Sequence, residues 1–146
     1  MTDPSDEEIE ARLRAQPIDR WLALWAAVDD LDVEQEHATW DYGGTPVRHL
    51  PWVSYSDALL RVVGALSAAG AFVPFDWPAW DGVARYRTGT GLDDAPVADA
   101  VRMATAIVRG DRFSEGTIAG TLDDGTLPAV LRRLRRWFDE ERPPDA

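Results

Sequence analysis

Apolar residues recur at helical spacing along most of this chain. The clearest case lies between residues 94 and 116, where one row of positions at i, i+4, i+7 and i+11 is apolar: Val97, Val101, Ala104 and Val108. Such a row covers one side of a helix, so that side is expected to face a core. Leu92 and Val97 have the spacing of a hydrophobic staple around a cap at Asp93. Gly110 is expected to end the helix in a left-handed conformation.

Six further segments carry helix signals. Ser5, with Glu8 three residues later, predicts a capping box for a first helix over residues 6–15. The other five segments each begin at a residue that can cap a helix. They are predicted from Asp19 to about residue 30, from Ser56 to Gly70, from Asp76 to about residue 88, from Ser114 to Asp123, and from Thr126 to about residue 141.

Residues 38–53 are the only segment with the character of strands. Thr39 and Trp40 precede Gly43-Gly44, which suits the turn of a short hairpin. The chain is therefore predicted to be mainly all-α: a compact single-domain bundle of about six or seven helices, with at most one short β-hairpin near residues 39–48. Residues 1–18 are expected to form an acidic N-terminal helix or extension, residues 19–140 the helical domain, and residues 141–146 a disordered tail.

Negative charge is concentrated in the first third of the chain. The formal net charge is −11, and residues 1–50 hold 12 acidic residues against 4 arginines. A protein that neutralises phosphates needs a basic surface, so nucleic acid and anionic membrane are disfavoured as main partners. A protein partner with a basic surface remains compatible with this distribution.

The composition excludes several kinds of site. The chain has no cysteine, which rules out disulfides, thiolate zinc sites and a cysteine nucleophile. No apolar run approaches the 18 or so residues of a membrane span, and the acidic start lacks a signal-peptide core. These features predict a cytoplasmic protein without a cofactor.

Three motifs favour a structural interpretation over a chemical one. His37 and His49 could join Asp41 in a metal site, but they lack the spacing of helical ligand pairs, so no metal site is predicted. The glycine loop at residues 87–96 lacks the lysine of a phosphate-binding loop and carries two aspartates, which favours a simple turn. No nucleophile-elbow sequence supports a serine–histidine–acid triad.

A cluster of arginines follows in the last predicted helix: Arg132, Arg133, Arg135 and Arg136. At helical spacing these side chains are expected to spread over the solvent face opposite Leu131 and Leu134. They could pair with the acidic N-terminal half. A protein contact and phosphate binding are the alternatives.

The strongest candidate constellation gathers at two predicted helix corners: Asp76, Trp77, Thr105, Arg109, Arg112 and Glu115. Arginine forks bind carboxylates or phosphates, an acid can accept from a base or a sugar hydroxyl, and tryptophan offers a stacking surface. The same residues could instead form a buried ion-pair network that braces the two corners. The structural network is favoured.

Three segments resemble one known family: PFDWPAW at residues 74–80, TAIVRGDRFSEG at residues 105–116 and LDDGTLPAVLRRL at residues 122–134. On these segments the chain resembles an uncharacterised bacterial family, the domain of unknown function 6508, with weaker similarity over about residues 20–138. Members often carry histidines where this chain has Ile107 and Thr117. The resemblance implies the organisation of the chain and the choice of candidate residues, and it adds no reaction.

These observations favour a small, non-enzymatic protein-interaction module that uses its acidic N-terminal half, in an accessory, antitoxin-like or immunity-like role. The alternative is a small-ligand or nucleotide-binding or enzymatic pocket built around Asp76, Arg109, Arg112 and Glu115.

Overall fold

The computed structural model describes residues 2–34, 36–41 and 52–142. These residues form seven α-helices: α1 (Asp6–Arg14), α2 (Ile18–Asp32), α3 (Asp57–Ala68), α4 (Gly82–Arg85), α5 (Val97–Asp111), α6 (Thr117–Asp124) and α7 (Thr126–Arg136). They also form two antiparallel strands, β1 (Ala38–Asp41) and β2 (Trp52–Tyr55). The prediction of a mainly all-α bundle with one small sheet is confirmed.

Helix α1 begins as the sequence predicts. The Ser5 hydroxyl accepts from the Glu8 N–H, and the Glu8 carboxylate accepts from the Ser5 N–H, which completes the capping box. Helix α2, in contrast, begins at Ile18 after Pro17 and has no side-chain cap, so the predicted cap at Asp19 is wrong. Proline fixes the backbone just before the helix, and this is sufficient to start it.

A cluster of aromatic rings joins the start and the end of the chain. Trp21 of α2 packs against Trp137 with ring centroids 5.2 Å apart, and Trp25 stacks on Trp21 at 5.9 Å. Trp21 and Trp137 are fully buried. Both tryptophans of α2 are therefore core residues.

The sheet uses a later second strand than the sequence predicts. Ala38 pairs with Tyr55 and Asp41 pairs with Trp52, whereas the predicted hairpin ended near residue 48. Val53 and Tyr55 have high strand propensity, which favours this pairing. Gly43-Gly44, the predicted turn, lies outside the described residues.

Between α3 and α5 the chain makes short turns instead of the predicted helix from Asp76 to about residue 88. A 3₁₀ turn, Trp77–Ala79, ends at Trp80, whose backbone is extended. Asp76 makes no side-chain cap hydrogen bond, so its predicted capping role is wrong. The extended backbone at Trp80 lets its ring cover Gly82, where a Cβ would lie only 2.1 Å from the indole.

The helix boundaries around α5 and α6 also differ from the prediction. Gly110 lies inside α5, which continues to Asp111. The predicted cap at Ser114 is wrong, because α6 starts only after Gly116, whose φ of 94° requires glycine. Similarly, Gly125 precedes α7, and Thr126 is its first residue instead of its cap.

The arginines of α7 are not all on the solvent face. Arg133 is only 3% exposed: its Nε donates to the Ala95 carbonyl at 2.7 Å, and its guanidinium binds both carboxylate oxygens of Glu141. The hydrogen bond from Arg133 lowers the pKa of Glu141. A π turn over residues 137–141 brings Glu141 back onto the helix, a geometry that the helical spacing of the sequence does not reveal.

The other arginines of this cluster form ion pairs with acids of the C-terminal half: Arg132 with Asp93, Arg135 with Asp139, and Arg136 with Glu140 and Glu141. These acids lie between residues 93 and 141, so the expected pairing with the acidic N-terminal half is not observed among the described residues. Residues 143–146 of the predicted tail lie outside the described residues.

Candidate functional site

A cleft of about 650 Å³ opens between four parts of the fold. Its floor comes from α5 and one wall from the Trp77–Ala84 segment. The opposite wall comes from α6 and the start of α7, and one end is closed by the Arg87–Thr88 turn. Pockets for small ligands usually enclose roughly 300–1,000 Å³. The cleft is therefore large enough to hold a small molecule or a few side chains of a partner.

Aromatic rings form one wall and the rim of the cleft. Trp77 and Phe113 approach each other with ring centroids 6.1 Å apart. Phe113 is 82% exposed, which is unusual for such an apolar side chain. Trp80 extends the wall and packs edge to face on Phe75 at 5.8 Å. The rim therefore presents contiguous apolar surface to solvent.

The floor is one face of α5. Met103, Ala106, Ile107 and Gly110 line it at the spacing i, i+3, i+4 and i+7. Two of these residues are small, so the helix backbone forms the bottom of a trough. A Cβ on Gly110 would lie 3.9 Å from the Thr117 side chain and 4.0 Å from the Trp77 ring, in ordinary contact with both walls.

Four threonines line the cleft, and each hydroxyl proton already has an acceptor. The bonds run from Thr88 to the Arg87 carbonyl (2.6 Å), from Thr117 to the Ser114 carbonyl (2.5 Å), from Thr121 to the Ile118 carbonyl (3.0 Å) and from Thr126 to the Asp124 carboxylate (2.7 Å). A hydroxyl has one proton and two lone pairs. These threonines therefore offer a ligand hydrogen-bond acceptors.

Two charged side chains of opposite sign line the cleft. Oδ1 of Asp124 accepts from both the N–H and the hydroxyl of Thr126. The Arg87 side chain, at the closed end, makes no hydrogen bond or ion pair with any described residue. Both side chains are exposed, and no ion pair joins them within the described part of the chain. Their charges offset each other, so the lining is neutral overall.

The turn that carries Arg87 is strained and tightly packed. Thr88 has a φ of 58°, a left-handed conformation that costs a β-branched residue about 1–2 kcal/mol. A Cβ on the next residue, Gly89, would lie 2.6 Å from Ala129 of α7. The glycine loop is thus a turn, as predicted, and its packing against α7 fixes the closed end of the cleft.

The structure separates the six residues of the predicted constellation. Trp77 alone lines the cleft. Thr105 is 1% exposed and is a structural residue: its hydroxyl donates to the Val101 carbonyl at 2.9 Å and accepts from the Val73 N–H at 3.1 Å. Asp76 is exposed, and its N–H donates to Asp3.

The remaining three residues of the constellation form no network. Arg109 and Arg112 are exposed, and their side chains make no ion pair or hydrogen bond with a described residue. The Glu115 carboxylate accepts from the Val53 N–H at 2.9 Å, which ties the loop before α6 to β2. The favoured buried arginine–acid network is therefore not seen in the described part of the chain.

The histidines do not form a metal site where the structure describes them. His37 lies 3.2 Å from the Glu34 carboxylate, three residues away. His49 and the side chain of Asp41 lie outside the described residues. Among residues 2–34, 36–41 and 52–142, no group of three histidine or acidic side chains could hold a metal ion.

Sequence reasoning missed most of the cleft. Nothing in the sequence pattern marks Trp80, Phe113 and the threonines of α6 as neighbours in one cleft. One signal was available: Trp77 belongs to no regular apolar row, so it is free to point away from the core. The threonine hydroxyls could not be recognised without the helix boundaries of α6.

Acidic side chains cover another part of the surface. Glu7 of α1 and Asp19, Asp29 and Asp32 of α2 are exposed and form no ion pair with any described residue. Ile18 and Leu22, on the same helix α2, are apolar and 40% and 52% exposed.

None of the helices in the described ranges combines the length and apolar character needed to cross a bilayer.

One comparison identifies the chain. A family model described as "Family of unknown function (DUF6508)" matches residues 16–140. No curated protein matches the chain, and no solved structure does. The match covers α2 to α7 and therefore every residue of the cleft. On this evidence the chain belongs to the DUF6508 family.

Proposed function

We propose that the protein is a non-enzymatic binding protein and that the cleft is its binding site. The observation that carries this proposal is the exposed aromatic rim, where Phe113 is 82% exposed beside Trp77. Each Å² of apolar surface left in water costs about 25 cal/mol relative to burial. Contiguous apolar surface around a concave site is typical of ligand and partner binding.

The lining favours binding over catalysis. General acid–base catalysis needs a titratable group beside the reacting atoms, and nucleophilic catalysis needs a base beside the nucleophile. Asp124 is the single carboxylate of the described lining, and its Oδ1 is engaged with Thr126. Since the four threonine protons go to carbonyls or to that carboxylate, no threonine is paired with a free base.

Titration with indole tests the cleft directly. Indole is an uncharged aromatic probe, and two-dimensional NMR of the ¹⁵N-labelled protein reports where it binds. We expect saturable shift changes at Ala106, Gly110 and Thr117, which line the cleft. An Ala106→Phe variant fills the trough and should abolish these changes. Ala26→Phe, on the exposed surface of α2, is the matched control and should leave them intact.

Two results would overturn this assignment. One is the absence of saturable shifts in the cleft at millimolar indole. The other is an equal response at Ile18 and Leu22, which would show general adhesion to exposed apolar residues. Thermal unfolding of Ala106→Phe and of Ala26→Phe shows whether each variant remains folded, so that a lost response can be interpreted.

A second candidate function is protein interaction through the acidic N-terminal half. The unpaired acids of α1 and α2 and the exposed Ile18 and Leu22 support it, because acidic and apolar groups together suit a basic partner. Such a contact is independent of the cleft. It fits the accessory, antitoxin-like or immunity-like role suggested by the charge distribution.

A photocrosslinking amino acid at Leu22 distinguishes this second candidate from the first. We expect one crosslinked protein that disappears when Asp19 and Asp29 are both changed to lysine. Asp123→Lys, an exposed acid on α6, is the control and should preserve the crosslink. A crosslink that persists after Asp19 and Asp29 are both changed to lysine would contradict an electrostatic interface.

A further inference from the structure

The polar groups of the cleft restrict the ligands that it can recognise. The four threonine hydroxyls of the described lining, three on the α6–α7 wall and Thr88 at the closed end, donate within the protein and keep lone pairs that can accept from a ligand. Asp124 adds carboxylate lone pairs on the same wall. A ligand must therefore bring N–H or O–H donors to this wall. Otherwise the acceptors of the wall lose their hydrogen bonds to water when the ligand displaces it, and they gain none in return.

Arg87 provides the complementary group. Its guanidinium has five donors and no acceptor, and no described residue uses them. The Arg87–Gly89 turn packs on the junction of α6 and α7, where the Thr88 carbonyl lies 3.2 Å from the position of a Cβ on Gly125. Asp124 is the residue before Gly125, so the backbones that carry the Arg87 donors and the Asp124 acceptor lie at the same end of the cleft.

The balance of charge argues for a neutral ligand. Among the described residues of the lining, the charged ones are Arg87 and Asp124, and their charges cancel. A free carboxylate would be attracted by Arg87 and repelled by Asp124. An ammonium group would be attracted by Asp124 and repelled by Arg87. A neutral edge that carries an N–H donor beside a carbonyl acceptor satisfies both groups at once.

The aromatic wall determines the shape of the rest of the ligand. Trp77, Trp80 and Phe113 offer ring surfaces for stacking, and the small residues Ala106 and Gly110 leave room above the floor. Aromatic partners gain about 0.5–1.5 kcal/mol beyond simple burial when they stack in an offset or edge-to-face arrangement. A planar heteroaromatic body fits this wall better than a flexible aliphatic one.

We infer that the cleft recognises a neutral heteroaromatic lactam: a planar ring system whose edge places an N–H donor toward Asp124 and the threonines and a carbonyl toward Arg87. Oxo-substituted purines, pyrimidines and pteridines belong to this chemical class. The strained Thr88 fits this role, since its backbone conformation holds the Arg87 turn at the cleft. This inference rests on the cleft being the binding site, as proposed above.

Three uncharged bicyclic probes test the inference. Quinolin-2(1H)-one carries donor and acceptor, indole carries the donor alone, and quinoline carries the acceptor alone. Because one additional net hydrogen bond changes affinity by roughly threefold to tenfold, we expect quinolinone to bind at least about threefold more tightly than indole and about tenfold more tightly than quinoline. NMR titration gives each dissociation constant and locates each probe.

Variants assign the two ends of the lactam edge. Arg87→Leu should reduce the affinity for quinolinone to that for indole and leave indole unchanged. Arg85→Leu is the matched control, because Arg85 is exposed, pairs with Asp81 and lies outside the cleft lining. Thr121→Val and Asp124→Asn should each weaken the binding of quinolinone and of indole and leave the binding of quinoline unchanged. Thermal unfolding confirms that each variant is folded.

The outcomes separate the two proposals. Equal affinity for the three probes, or preferential binding of quinoline, overturns the lactam inference and leaves the cleft as a binding site. If none of the probes shifts the residues of the cleft, the proposed function fails as well. An unchanged preference for quinolinone in Arg87→Leu would also overturn the inference, because the carbonyl would then have no assigned partner.

Discussion

The two ends of helix α5 have opposite surroundings. Near its start, Asp99 is buried and accepts from the Tyr86 hydroxyl at 2.5 Å and from Arg102 at 2.8 Å. Near its end, Arg109 is exposed without a described partner, and Gly110 lines an open cleft. One continuous apolar row supports both ends. The start is fixed by satisfied polar contacts. At the end, Asp111 accepts from the Tyr55 hydroxyl and the Ile118 N–H, and the face beside it leaves polar and aromatic groups available to another molecule.

The start of α5 also anchors the N-terminal segment. Arg102 binds Asp6 at 2.6 Å and the Pro4 carbonyl at 3.3 Å, in addition to Asp99. These contacts join α1 to α5 and to Tyr86, so several elements depend on one carboxylate. Binding sites, in contrast, often retain unsatisfied or strained groups that a ligand compensates. The difference indicates that stability and binding are served by different turns of the same helix.

Removal of Asp99 is the strongest test of this comparison. Asp99→Ala leaves the Tyr86 hydroxyl without its acceptor and Arg102 with Asp6 and the Pro4 carbonyl, so we expect a loss of about 2–4 kcal/mol in the free energy of unfolding. Urea denaturation measures it. Asp99→Asn keeps an acceptor and should lose less. A loss below about 1 kcal/mol for the alanine variant would show that the start of α5 is not an anchor.

Alkaline pH tests the same anchor through Tyr86. Burial, together with the hydrogen bond to Asp99, raises the pKa of Tyr86 above its usual 10. Above pH 10 the folded state therefore retains a proton that the unfolded state releases. This contribution to stability is fully present below pH 10 and is lost as the pH rises through the folded pKa.

Tyr86→Phe should cost about 1–2 kcal/mol at pH 7 and reduce the loss of stability between pH 9 and pH 11. Denaturant titrations at the three pH values measure both effects. Tyr55 gives a comparison at the far end of α5, because burial and its bond to Asp111 also raise its pKa. A Tyr86→Phe variant with the wild-type alkaline slope would contradict the assignment to Tyr86.

Gly110→Ala should separate stability from binding at the end of α5. Glycine inside a helix costs about 0.5–1 kcal/mol relative to alanine, and the new methyl would meet Thr117 and Trp77 at 3.9 and 4.0 Å. We expect higher stability by about that amount and weaker binding of indole, measured by thermal unfolding and NMR titration.

The matched control for this variant is Gly120→Ala. Gly120 lies in α6 with nothing within 4 Å of a new methyl. Gly120→Ala should therefore raise the stability of the protein by a similar amount and leave indole binding unchanged. If Gly110→Ala binds indole as tightly as the wild type, the trough beside Gly110 does not contribute to the site.

The sequence predicted the helical fold well because the apolar rows have a clear period. Ser5, Glu8 and Ser56 have the capping roles that their spacing predicts. Errors arose where tertiary packing determined the boundary. Thr117 starts α6 because Gly116 can adopt a positive φ, although Ser114 is a good capping residue in isolation.

The candidate site was harder to predict. The sequence analysis places Trp77 in the candidate constellation as a stacking surface, and Trp77 lines the cleft. Arg133 shows why charged residues were not resolved: its burial depends on a π turn that no periodicity reveals. The acceptor character of the threonines follows from hydrogen bonds that exist only in the folded chain.

The smallest expected effect concerns Arg109, for which the sequence favoured a structural role. Arg109 is exposed and unpaired within the described ranges, so Arg109→Ala should change the free energy of unfolding by less than about 0.5 kcal/mol. Urea denaturation of this variant beside Asp99→Ala compares the two ends of α5 in one experiment. A loss above about 1.5 kcal/mol would contradict the exposed, unpaired placement of the Arg109 side chain.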